Sequence, residues 1–326
     1  MTQLEAIRCG LSEEMKRDSS VFIMGEDVGL YGGVFGLTGP LWKEFGDDRV
    51  IDTPISELAI VGTGVGAAML GLRPVVEIMF MDFITLAMDP IVNQAAKLRY
   101  MTGGKIKVPM VVRMLGGGGL SVSAQHSQSL EAWFAHIPGL KVVAPATAYD
   151  GKGLMKSAIR DDNTVIFIEH KLLYKSSDEV PDDDYTVPIG KADIKRVGKD
   201  ISLITYSGML PKALAAAAEL SSEGIELEVV DLRTLRPLDS ATILESVCRT
   251  GKAIVLHEAP LSLGIGAEVS ALIMEGAFDY LDAPVVRIAG KEVPSPYNDT
   301  LEAQVIPTVG QIVTVARKLR HGGCND

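Results

Sequence analysis
Short, nearly continuous apolar runs alternate with longer amphipathic segments along the whole chain. Val21 to Met24, Pro74 to Met79, Val108 to Val112 and Val165 to Ile168 are such runs in the first half. Ser202 to Thr205, Leu227 to Val230, Ala253 to Leu256 and Val285 to Ile288 continue the series. Strands covered on both faces read this way, because neither face can be polar. Between the runs the period changes. Leu4, Ile7, Leu11 and Met15 share one face of a helix over residues 3 to 17. Thr147 to Ile159, Pro211 to Leu220, Ser240 to Val247, Ala267 to Gly276 and Thr308 to Leu319 are also predicted helices. Leu86 to Leu98 predicts one long helix that stops at Gly103-Gly104. This alternation predicts an α/β protein with mainly parallel sheets. The 326 residues suffice for two such domains, and an acidic, unpatterned stretch from Lys171 to Gly190 divides them.

Charge narrows the partners. A formal net charge of -11 argues against nucleic acid and anionic membranes, and suits a basic docking partner. Cys9, Cys248 and Cys324 are an odd number without CxxC spacing, as expected for free thiols in a reducing compartment. No apolar stretch is long enough to span a bilayer. Met1-Thr2 leads straight into a helix without a signal or Arg-rich transit pattern, so the expected compartment is the cytoplasm.

Chemistry-bearing residues gather where predicted strands end, which is where open α/β sheets bind ligands. Gly25-Glu26-Asp27 follows the first strand; a solvated turn would look the same. In Asp52-Thr53-Pro54-Ile55-Ser56-Glu57, Pro54 punctuates the chain and Ser56 is a good N-cap. Glu57 is therefore expected at the first helical position. The helix dipole favours its charged form there, and burial beneath the apolar run Leu58 to Leu72 favours its neutral form. Such a carboxyl can share a proton with a bound partner, or simply cap the helix. Four glycines, Gly116 to Gly119, make a loop shortly before Gln125-His126-Ser127 and expose the histidine to whatever the loop contacts. Gly62-Thr63-Gly64-Val65-Gly66-Ala67 satisfies a permissive dinucleotide pattern, but it falls inside the predicted helix rather than on a strand-to-helix turn, so it reads as a small-residue packing face. Gly46-Asp47-Asp48 lacks the Gly-Asp-Gly form and a downstream Asn for a metal-bound diphosphate. His257-Glu258 in the second half reads as structure or interface.

Several segments in order resemble one family. They are Met24-Gly25-Glu26-Asp27-Val28, Asp52 to Glu57, Gly71-Leu72-Arg73-Pro74, Ala124-Gln125-His126-Ser127-Gln128, Pro138 to Val143 and Asp231 to Asp239. Together the chain looks like a beta subunit of the thiamine-diphosphate-dependent first component of 2-oxo acid dehydrogenase complexes. The resemblance implies a two-domain transketolase-like α/β fold. It places a thiamine pyrimidine-binding domain over residues 1–175, a linker over 176–190 and a transketolase C-terminal domain over 191–326. It implies an α2β2 heterotetramer whose alpha subunit carries the motif for Mg2+ and diphosphate, and a lipoyl-bearing transacylase core as partner.

The resemblance also assigns residues. Glu57 matches the glutamate that hydrogen-bonds N1′ of the aminopyrimidine, where passing one proton across one hydrogen bond activates the cofactor. Phe83 matches the aromatic packed on that ring, and Glu26 a second acidic residue near the cofactor. His126 matches a histidine that assists acyl transfer to the lipoyl group; an imidazole, with an ordinary pKa of about 6.5, suits that task. Met110, Ala158, Ile159, Asp161 and Asn163 match positions that hold a structural monovalent cation, K+, in some relatives; an ordinary helix end with satisfied carbonyls remains the other reading. Pyruvate is the first substrate expected, since Val293-Pro294-Ser295-Pro296-Tyr297 and the compact Gly29 to Gly39 segment are pyruvate-like. Ile168 to Tyr174 resembles acetoin dehydrogenase, and a branched-chain oxo acid is a further alternative. A non-catalytic assembly subunit is the reading outside this class.

Overall fold
The computed structural model describes residues 1–320, so Cys324 lies outside the described residues. The chain divides into two units, Met1–Gly116 with Trp133–Ile189, and Gly117–Ala132 with Gly190 onward. The segment Gly117–Ala132 thus belongs to the second unit, although it lies in the first half of the sequence.

The first unit is built on strands β1 (Val21–Gly25), β2 (Val50–Asp52), β3 (Arg73–Ile78), β4 (Val111–Gly116), β5 (Lys141–Val143) and β6 (Val165–His170). They run parallel in the order β5-β6-β4-β3-β1-β2. β1, β4 and β6 are buried at every position, as their unbroken apolar runs require. Helix α1 (Gln3–Arg17) begins in a capping box between Thr2 and Glu5. It crosses the later helix α6 (Ala148–Arg160) where Gly10 and Gly151 let the two approach; a Cβ on Gly10 would lie 3.0 Å from the Lys152 carbonyl. Short α2 (Gly39–Phe45) precedes α3 (Glu57–Met69). Gly62 to Ala67 lies inside α3, where Gly64 faces Val76 and Met110. The dinucleotide pattern is therefore helix packing on its inner side.

The expected long helix after β3 is not one helix. A 3-10 turn covers Met81–Ala87, a π-helical stretch covers Pro90–Ala95, and α4 spans only Leu98–Met101. Pro90 has no N–H to donate, and its ring crowds the preceding turn, so a regular ladder cannot pass through it. β4 also starts later than predicted, after Pro109.

α5 (Glu131–Ala135) is a brief helix. The second unit contains β7 (Asp193–Arg196), β8 (Ile201–Thr205), β9 (Leu227–Asp231), short β10 (Thr234–Arg236), β11 (Ala253–Pro260) and β12 (Val286–Gly290). Its sheet order is β12-β11-β8-β9-β7, parallel except for β7, which the sequence reading missed. Around it lie α7 (Leu210–Ser221), α8 (Ser240–Thr250), α9 (Ile265–Ala277), α10 (Asp299–Val305) and α11 (Val309–Arg320). Among the described residues no helix is long and apolar enough to cross a membrane.

Candidate functional site
The C-terminal edge of β1, β2 and β3 carries Glu26, Asp52 and Glu77. Gly25 is in register with Asp52 on one side and Glu77 on the other. A Cβ on Gly25 would sit 2.7 Å from the Glu77 carbonyl, so only glycine lets these strand ends close up. Asp52 accepts the Gly29 N–H at 2.6 Å and ties down the start of the glycine-rich loop.

Glu57 is the first residue of α3, as Pro54 and Ser56 predict. Ser56 occupies the N-cap position without a side-chain cap bond to the described residues. The first-turn amides of α3 therefore rely on other acceptors. Glu57 is only 7% exposed. Glu26 faces it: burial, and then the charge of Glu57, push the Glu26 carboxyl above its usual range, while the Ser56 N–H opposes the shift. Glu26 Oε1 is buried without a hydrogen-bond partner among the described residues. Two carboxyls at close quarters, one oxygen of which awaits a donor, fit the aminopyrimidine of a thiamine cofactor, which offers ring nitrogen and amino groups.

Phe83 lies on the 3-10 turn after β3, half-buried. It stands edge-on to Phe80 at 5.9 Å, Phe80 to Phe35 at 6.4 Å, and Phe35 to Tyr174 at 5.7 Å. Such T-shaped contacts favour one orientation of each ring over sliding. Lys171 sits 5.5 Å above Phe80.

Beneath this ladder is a buried network that no motif announced. Arg113 of β4 donates to Glu169 of β6 through Nε at 2.7 Å and Nη2 at 2.9 Å, to Tyr174 at 2.9 Å, and to Glu77 of β3. Tyr174 donates to Glu169 at 2.5 Å. Burial pushes the Glu77 carboxyl up; Arg113 pulls it back and Glu169 adds to the rise. One buried guanidinium thus serves two buried carboxyls. Sequence patterning could flag it only as three charges inside otherwise apolar strands.

The five residues matched to a monovalent cation also lie in the first unit, with their acceptors already engaged. Arg73 donates to the Ile159 carbonyl at 2.8 Å and the Asp161 carbonyl at 3.0 Å. The Met110 carbonyl accepts the Val165 N–H at 2.9 Å, and the Ala158 carbonyl accepts the Asp161 N–H at 3.3 Å. The Asn163 side chain accepts from Arg99 at 2.7 Å and donates to Asp161 at 2.9 Å. Arg73 also meets Asp162 at 3.0 Å. Arg73 thus shares the end of α6 with these residues, on the Ile159 and Asp161 carbonyls.

His126 belongs to the second unit, in a turn after the glycine loop, half-buried, with its N–H on the Ser123 carbonyl at 3.3 Å. The loop's amides are held by Glu258 and Glu302, which the sequence reading did not single out for this role. His257 is fully buried against Gly264 and Gly266, and burial pushes its imidazole down to about 4.

Residues 1–177 match the family Transketolase, pyrimidine binding domain, and residues 190–312 match Transketolase, C-terminal domain. The chain is 49% identical to the pyruvate dehydrogenase E1 component subunit beta of Rhizobium meliloti, over 97% of this chain and 69% of that protein. It is 48% identical to the acetoin:2,6-dichlorophenolindophenol oxidoreductase subunit beta of Cupriavidus necator, over 98% of this chain and 97% of that one. A solved structure described as a split gene transketolase, inactive beta4 tetramer, shares the fold with a TM-score of 0.81 at 24% identity, covering 98% of both chains.

Proposed function
We propose the following from one premise: the chain belongs to the beta-subunit family of thiamine-diphosphate-dependent first components of 2-oxo acid dehydrogenase complexes. With an alpha subunit, in an α2β2 heterotetramer, it carries out oxidative decarboxylation of pyruvate and passes the acyl group to a lipoyl domain of a transacylase core. The observation that carries this reading is Glu57, buried at the start of α3 and opposed by Glu26.

The bound cofactor supplies the carbanion-stabilising centre. This chain's residues do the rest of its half. Glu57 holds or passes a proton at N1′ of the aminopyrimidine, across a single hydrogen bond from which burial excludes water. Glu26, pushed above its usual range by burial and then by the charge of Glu57, takes up a proton more readily than an ordinary glutamate. Phe83 packs the ring, kept upright by Phe80 and Phe35. His126 serves the proton transfers of acyl transfer. The alpha subunit holds Mg2+ and diphosphate, which suits a chain with Gly46-Asp47-Asp48 in place of Gly-Asp-Gly. A K+ at the end of α6 would share the Ile159 and Asp161 carbonyls with Arg73. The compartment is the cytoplasm.

Acetoin as substrate is the second reading, favoured by Ile168 to Tyr174 and by the 48% identical acetoin-type relative. Two measurements test the proposal. Calorimetry with thiamine diphosphate and Mg2+ should show tight binding only when this chain and its alpha partner are combined. Turnover of that assembly on pyruvate, acetoin and branched-chain oxo acids, with an artificial electron acceptor, should be fastest on pyruvate. Tight binding by this chain alone would refute the shared site, and faster turnover on acetoin would move the assignment to the second reading.

A further inference from the structure
We propose that Glu302 is a positioning residue that fixes the loop leading to His126, with Glu258 as its auxiliary. The loop leaves β4 and runs through Gly117, Gly118, Gly119, Leu120 and Ser121 without regular structure. Four of its residues take positive φ: Gly117 (80°), Gly119 (94°), Ser121 (55°) and Ser123 (76°). Glycine adopts that region freely; serine does not, so at Ser121 and Ser123 something must hold the backbone.

The holder is visible. Glu302 of α10 is only 2% exposed, and both its oxygens point into the loop. Oε1 accepts the Gly119 N–H at 2.9 Å and the Ser295 hydroxyl at 3.2 Å. Oε2 accepts the Ser121 N–H at 2.8 Å and its hydroxyl at 3.3 Å. Glu258, near the end of β11, accepts the Gly118 N–H at 2.5 Å. A Cβ on Gly118 would lie 3.0 Å from Ile306 Cδ1 and 3.1 Å from Glu302 Oε1, so glycine there lets the carboxylate come in close.

A buried carboxylate is stable only when donors replace its lost water. Here three of the four donors to Glu302, two amides and the Ser121 hydroxyl, belong to the loop. Glu302 and the loop therefore stabilise each other, and the clamp ends at Ser121, five residues before His126. Ser123, the next strained residue, accepts the His126 N–H through its carbonyl at 3.3 Å. The path from Glu302 to the His126 backbone is thus short. The clamp itself stands on these contacts; its catalytic meaning rests on the acyl-transfer role proposed for His126.

The test uses the assembled heterotetramer carrying Glu302→Gln or Glu302→Asp. Hydrogen exchange at the Gly119 and Ser121 amides should rise by roughly 10- to 100-fold in Glu302→Gln, because charge-assisted bonds become neutral ones or are lost. The rate of lipoyl reduction should fall by at least as large a factor as turnover with an artificial acceptor, at unchanged KM for the 2-oxo acid. Glu302→Asp, which keeps the charge, should recover part of both losses. Unchanged exchange across Gly118 to Ser121 overturns the clamp. Faster exchange with lipoyl reduction intact overturns its positioning role. If Glu302→Gln does not assemble, Glu258→Gln decides by the same two readouts, with a smaller rise in exchange expected at Gly118. A His126→Ala variant separates the two ideas: normal lipoyl reduction in that variant refutes the role of His126, whereas the exchange data still judge the clamp.

Discussion
Arg113→Met is the substitution with the largest stability effect expected in the first unit. Arg113 is 2% exposed and holds Glu169 (fully buried) and Glu77 (8% exposed) by charge-assisted bonds. Methionine fills most of the volume, so cavity loss is small and the electrostatic effect dominates. Removing one partner from a buried ion pair costs about 3–5 kcal/mol, because the other charge is left without compensation. Here two carboxyls are left, so the upper half of that range is expected at neutral pH. With a urea m-value of about 3 kcal/mol per molar, the upper end of the usual range as suits a chain of this size, the unfolding midpoint should drop by roughly 1.5 M. The pH dependence distinguishes this from a packing defect. Burial already pushes the Glu77 carboxyl up, and without Arg113 it rises further. A carboxyl whose pKa is raised by folding stabilises the fold when protonated and penalises it as pH rises through that pKa. The deficit of Arg113→Met should therefore shrink between neutrality and about pH 5. Combining Glu77→Leu, Arg113→Met and Glu169→Leu should recover most of it, since an apolar triad leaves no buried charge unpaired. A loss below about 1 kcal/mol, or one that does not vary with pH, would refute this reasoning.

Other perturbations follow from the same contacts. Glu26→Gln should raise the melting temperature at pH 7.5, because the raised pKa of Glu26 makes its charged form a liability there; the gain should fade by about pH 4, where both states are protonated, and thermal scans at the two pH values check it. His257 is buried neutral with its pKa pushed down to about 4. Its contribution is complete above the ordinary histidine value of about 6.5 and is lost as pH falls from there toward 4, up to roughly 3 kcal/mol. Urea titrations of the wild type should show that slope, and His257→Met should flatten it. Arg73→Gln should lower the melting temperature by about 5–10 °C through loss of roughly 2–3 kcal/mol of bonds to the α6 carbonyls and Asp162. Wild type should melt at the same temperature in KCl and in tetramethylammonium chloride at equal ionic strength; a K+-specific gain above about 3 °C would restore the cation site.

How much of this was legible in the sequence depends on distance along the chain. Strand and helix alternation is written in local periodicity, so β1, β3, β6 and most helices fall where expected. Glu57 was placed because Pro54 and Ser56 act within three residues of it. The broken stretch after β3 was misread because its apolar residues keep helical spacing while Pro90 interrupts the hydrogen bonds. Antiparallel β7 is short and half-buried, and leaves little pattern. Arg73 reaches carbonyls 86 and 88 residues away. Glu302 reaches amides 181 and 183 residues away. Neither carries a local signature, because a single charged residue looks the same whether it meets water or a loop.

The central claim is that Glu57 moves the proton at N1′, and one measurement reaches it directly. The heterotetramer carrying Glu57→Gln should assemble with its alpha partner, yet its decarboxylation of pyruvate should fall by roughly 10²- to 10⁴-fold, the range for loss of a positioned acid-base group. Glutamine keeps the shape and a hydrogen bond at that position but cannot pass a proton. Near-normal turnover in an intact Glu57→Gln heterotetramer would contradict the account.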